Sequence, residues 1–133
     1  MIRLLQRRSR PARSGLDEVR RMLRSLKSSR AQTRFAVGVG VYLANIDFMR
    51  QFGGMQSFRQ IPLGDREQFY AQLSDLESSL RSLEAGMALG VGLYRIWLAH
   101  TLAGRREAAD LLGEELTELS RRASSVGPPD ARQ

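Results

Sequence analysis

The sequence predicts an all-α protein, a helical bundle of about four helices with a duplicated helix pair inside it. Three observations carry this. Apolar residues recur at spacings of three and four over most of the chain, as at Leu16, Val19, Leu23 and Leu26. The single strand-like alternation, Val37-Gly38-Val39-Gly40-Val41, is flanked by AQTRF and LANIDFMRQF, which continue as helix. Finally, the glycine-studded string FAVGVGVYL at 35–43 returns as MALGVGLYR at 87–95.

The elements follow in order. Residues 1–14, MIRLLQRRSRPARS, form a basic N-terminal arm, residues 15–124 a single helical domain, and 125–133 a flexible tail. The arm is Arg-rich and free of acids, a composition shared with mitochondrial transit peptides, although a retained arm is the preferred reading. Its apolar run, Leu4-Leu5, is too short for a secretory leader. Ser14 with Asp17 makes a capping box that starts the first helix, whose remaining faces carry Arg20, Arg21, Arg24 and Lys27. A second helix runs from Ala31 to Phe52 and stops at Gly53-Gly54. MQSFRQIPLG, residues 55–64, reads as a loop punctuated by Pro62. Asp65 with Gln68 starts the next helix, and its stripe Phe69, Leu73, Leu76, Leu80, Leu83 continues through the second glycine string. Gly104 is a hinge with a slight break, because Arg105 and Arg106 oppose the dipole of a new helix. Ala108, Leu112, Leu116 and Leu119 define the last helix.

Residues 36–42 and 88–94 share five identities and two conservative exchanges, and LRSL at 23–26 recurs at 80–83. This is the pattern of a duplicated helical unit. Glycine inside a helix costs about 1 kcal/mol relative to alanine, so four glycines in two strings require a compensating gain. Ala36, Gly40 and Ala44, and likewise Ala88 and Gly92, are spaced by four, which makes small-residue faces where two helix backbones can approach closely. The two strings are therefore expected to pack on each other about a pseudo-twofold axis. A membrane role is disfavoured, since the apolar stretch 35–49 contains Asp47 and the stretch 85–104 contains Arg95 and His100, and a charge at mid-bilayer costs about 2.5–3.5 kcal/mol.

Charge is the clearest functional signal. The net charge is +7, yet residues 1–34 hold ten Arg and one Lys against Asp17 and Glu18, a net of +9, which leaves −2 for the rest. A field concentrated in one quarter of the chain favours an anionic partner, nucleic acid first and an acidic membrane surface or protein second. The residues expected to hold a nucleic-acid backbone are Arg7, Arg8, Arg10, Arg13, Arg20, Arg21, Arg24 and Lys27. The chain has no cysteine, which excludes a disulfide scaffold and a thiol nucleophile, and no pattern calls for a catalytic group, metal or cofactor. Asp47 is expected to pair with Arg50 or Arg95, and Glu118 with Arg122. The aromatic residues read mostly as core, with Phe58 beside Arg59 the one hint of a stacking platform.

Two resemblances extend this reading. Arg95 and His100, in RIWLAH, are similar to the R-x4-H ribonuclease motif of HEPN domains, although Ile96 stands where that motif places a polar residue. This implies RNA cleavage as an alternative function. The second starts from RFAVGVGVYL at 34–43 together with the size, helical pattern and basic first helix. In these the chain resembles the small helical subunits of CRISPR effector complexes. That resemblance implies a non-catalytic, cytoplasmic, nucleic-acid-lining subunit of an antiviral ribonucleoprotein, either as a homo-oligomer or within a larger complex.

Overall fold

The computed structural model describes residues 11–126, with side chains over 15–125. Six helices occupy this span: α1 Pro11–Lys27, α2 Ala31–Phe52, α3 Met55–Gln60, α4 Leu63–Arg81, α5 Ala85–Leu102 and α6 Arg106–Val126. No strand occurs among the described residues. The valine-glycine alternation is helical, as its flanks required.

α2 has the bounds its signals predict. Its last turn closes on Gly53 at φ 79°, a left-handed conformation that glycine adopts without a Cβ penalty. Elsewhere the boundaries shift. α1 is already helical at Pro11, so Ser14 lies within it and does not cap it. The expected loop after Gly54 contains α3, and α4 begins at Leu63, directly after Pro62. Arg66 holds that corner together: Nε donates to the carbonyls of Phe58 at 3.1 Å and Ile61 at 3.0 Å, and Nη2 donates to that of Arg59. The stripe expected to run unbroken into the second glycine string is cut at residues 82–84, where the Glu84 carboxylate accepts a hydrogen bond from Gly86 N and caps α5. At Gly104, φ 76°, the chain reverses between α5 and α6, a full turn where a slight hinge was expected.

α2 and α5 form the centre. Both are apolar on nearly every side, as buried helices are, whereas α1 and α6 have one apolar stripe each. They run parallel, since Ala36 meets Gly86, Gly40 and Val37 meet Met87 and Gly90, and Asn45 meets Tyr94. Gly40 rests on the backbone of Met87 while Gly90 rests on that of Val37, a reciprocal pair of contacts in which Val37 and Gly40 correspond to Met87 and Gly90 fifty residues on. The crossing is thus locally twofold, two residues out of step with the sequence match. Gly92, expected on this interface, is turned toward α4, where a Cβ would stand 3.0 Å from a Glu77 carboxylate oxygen. Gly86 and Gly90 supply the small face instead.

α6 covers the other side of α2, with Gly38 against the backbone of Leu119, and packs on α5 through Gly113 under the Trp97 ring. α4 lies on α5, and α1 lies on α6. One continuous core joins Val19, Leu23, Val37, Phe69, Leu98 and Leu112 from five helices, and Phe58 of α3 belongs to it. At the α3 end, the rings of Phe48, Phe52, Phe58 and Phe69 lie 4.9–6.0 Å apart, mostly edge to face. Phe58 is fully buried there, so it offers no stacking platform.

Candidate nucleic-acid interface

The basic first helix owes its orientation to its apolar stripe. Val19, Leu23 and Leu26 are buried and Leu16 and Met22 pack at the margin, while Arg20, Arg21, Arg24 and Lys27 are exposed, with Arg20 and Lys27 flanking the apolar stripe. Arg20, Arg24 and Lys27 follow one line along the helix at i, i+4 and i+7, with Arg21 one step around. At about 1.5 Å per residue the line is about 10 Å long. Four successive phosphates of one duplex strand span a similar rise, at about 3.4 Å per step. Arg24 and Lys27 also sit in the last turn, where the helix dipole favours cations.

Acids barely interrupt this face. Asp17 reaches Arg20 at 3.9 Å with both side chains more than half exposed, a geometry worth little in water. Glu18 acts on His100 of α5. Arg34 is withdrawn from solvent duty: its Nη1 donates to the carbonyls of Lys27, at 3.3 Å, and Ser29, which satisfies the open end of α1. Arg30, outside the predicted set, is exposed in the turn after Lys27 and extends the row. Its signal was its place in a short polar turn, where a side chain has nowhere to bury. Arg7, Arg8 and Arg10 lie outside the described residues, and Arg13 is within α1 with its side chain outside them.

The residues of the ribonuclease resemblance have different neighbours. Arg95 Nη2 donates to Glu77 Oε1 at 2.9 Å, which also replaces the expected pairing with Asp47, and Arg95 Nε is buried without a hydrogen-bond partner. Glu77 further meets Arg81 at 3.5 Å. His100, five residues on, is 9% exposed, and its Nδ1 accepts from Arg105 Nε at 2.8 Å. That bond fixes the neutral tautomer with its proton on Nε2. Burial first, then the Arg105 charge, lowers the His100 pKa, against a smaller opposing pull from Glu18.

A groove of about 820 Å³ lies between α2, α5 and α6. Tyr94 and Trp97 form part of its floor, and Asp110, Glu114 and Glu118 stand along its α6 wall. The Tyr94 hydroxyl donates to Asn45 Oδ1 at 2.8 Å, and burial raises its pKa. Glu118 pairs with Arg122 as predicted, at 2.7 Å, and with Arg121 at 2.6 Å. Hydrogen bonds from these two arginines lower its pKa. Asp110, Glu114 and Glu118 outnumber Arg121 on this wall, so it disfavours a phosphate backbone relative to the α1 face. Among the described residues no group of His, Asp and Glu is placed to hold a metal ion, and no helix is long and apolar enough to cross a membrane.

No protein-family profile, curated protein or solved structure matches this chain.

Proposed function

We propose that this protein is a non-enzymatic helical module that holds a nucleic-acid backbone through the outer face of α1, as a cytoplasmic subunit of a larger assembly. The observation that carries the reading is the row Arg20, Arg24 and Lys27, flanked by Arg21 and Arg30, exposed on a helix anchored by its buried apolar stripe. Arginine suits this task because its planar guanidinium binds phosphate with two parallel hydrogen bonds. The basic segment 1–14 adds further positive charge to the chain. Size, helical architecture and the basic first helix support a place like that of the small subunits of CRISPR effector complexes. α1–α2 and α4–α5 are each joined by three residues, but α4 packs along α5 while α1 packs on α6, so the connection repeats and the packing does not.

The test is a salt titration of binding to single-stranded RNA and DNA. Each phosphate engaged on a single strand contributes about −0.7 to the slope of log affinity against log salt, so four contacts give about −3. Replacing Arg20, Arg21 and Arg24 together by Gln should weaken binding and reduce that slope by about 2. An unchanged slope in the triple variant, or binding confined to anionic vesicles, refutes the proposal.

A further inference from the structure

α2 is buried by α5 on one side and by α6 on the next, but none of the described residues covers the third. There Phe35, Tyr42 and Met49 are 44%, 40% and 49% exposed, Leu43 is 36% exposed, and Val39 and Ile46 are half-buried between them. Between Phe35 and Met49 the only charged residue is Asp47, at the edge of this stripe. Large aromatic side chains present about 150–250 Å² each, so the partial exposures sum to roughly 400 Å² of apolar surface, at the scale of patches that mark binding sites. A standard interface takes about 800 Å² from each partner, of which about 57% is apolar. The stripe therefore supplies the apolar part of one side of such an interface.

Its spacing says what kind of surface fits. Phe35, Val39, Tyr42, Ile46 and Met49 follow one another at four, three, four and three residues, the seam that receives another helix. The stripe has offsets of −7, −3, +4 and +7 from Tyr42, so a reversed copy matches it at the two ends and falls one residue out of register at Val39 and Ile46. An antiparallel copy of α2 brings Phe35 beside Met49 of the second copy, Val39 within one residue of its Ile46, and Tyr42 beside its own equivalent. Arg34, which would otherwise approach Arg50 of the second copy, is turned onto the carbonyls at the end of α1.

We infer that α2 is the self-complementary interface of a homodimer, two copies packing antiparallel through Phe35, Val39, Tyr42, Ile46 and Met49. This gives the assembly proposed above a defined surface and requires nothing of the nucleic-acid reading. The dimer carries two α1 rows on one body, which strengthens contact with a long backbone by multivalency.

The experiment is sedimentation velocity on the full chain from about 1 to 100 μM, a range that brackets weak and moderate association. The expected result is a species of twice the 15.0 kDa chain mass. Tyr42→Glu enters the twofold interface twice and should weaken the dimer by more than about 100-fold, while circular dichroism keeps its helical signal because Tyr42 is outside the core. Leu89→Glu, on an exposed part of α5, should leave the dimer intact. Because the chain has no cysteine, Tyr42→Cys gives a second measurement: mild oxidation should link two copies, and Leu89→Cys should not. A monomer at 100 μM overturns the inference, as does a dimer that survives Tyr42→Glu. Loss of vesicle binding in that variant without any dimer in the parent chain overturns it as well, by assigning the stripe to a lipid surface.

Discussion

Gly90→Ala tests the central crossing. A Cβ built on Gly90 stands 2.9 Å from Val41 N and 3.0 Å from Gly40 Cα, and it collides with the Val37 carbonyl oxygen. All three atoms are backbone, so none can rotate away, and the two helices must separate by several tenths of an ångström. Overpacking of this kind costs about 1–3 kcal/mol, and the upper end applies where the obstruction is backbone on both sides. Alanine also gains about 1 kcal/mol of helix propensity over glycine, which leaves a net loss of about 2 kcal/mol. For a chain of this size that is a Tm lower by about 6–10 °C. Gly64→Ala is the matched control. Gly64 lies in the first turn of α4, and a Cβ there meets nothing within 4 Å, so only the propensity gain remains. The control should raise Tm by about 2–4 °C. The assay is thermal unfolding by circular dichroism of both variants and of Gly40→Ala combined with Gly90→Ala. Because one separation relieves both contacts, the double variant should lose less than the sum of its singles. If Gly90→Ala and Gly64→Ala shift Tm in the same direction, the backbones do not touch where this structure places them.

The remaining predictions concern charges. Glu77→Gln removes the ionic partner of the half-buried Arg95 guanidinium and should cost about 1–3 kcal/mol in urea unfolding, more than the same change at the exposed Glu114. Equal effects at both sites refute an energetic role for the Glu77–Arg95 contact. His100 has its folded pKa below the ordinary value of 6.5, so the unfolded chain binds the extra proton and stability falls as pH drops from about 7 toward 5. His100→Gln should flatten the pH dependence of Tm in that window, while the loss that follows protonation of Glu118, whose pKa is also lowered, falls at more acid pH. A slope unchanged by His100→Gln refutes the assignment.

Local signals fixed much of this architecture in advance. The stripe Leu16, Val19, Leu23, Leu26 sets α1 and, with it, which of its arginines face water, because a helix with one apolar side has one way to lie on a core. Gly53 sets the end of α2, and the repeated glycines announce a close helix contact that the structure contains. Three features were decided by tertiary structure. α3 has too few residues to be stable alone, and it exists because Phe58 is buried in the aromatic cluster and Arg66 binds its terminal carbonyls. The break between α4 and α5 carries no glycine or proline at 82–84, and the stripe runs through it without a change of period. What cuts it is the gain from folding α4 back along α5. The orientation of α2 and α5 was hidden for a related reason. Both are apolar nearly all round, so hydrophobic pattern does not say which side meets a neighbour, and only the fit of backbone against glycine puts Gly90 on α2, Gly92 on α4 and Tyr42 in water.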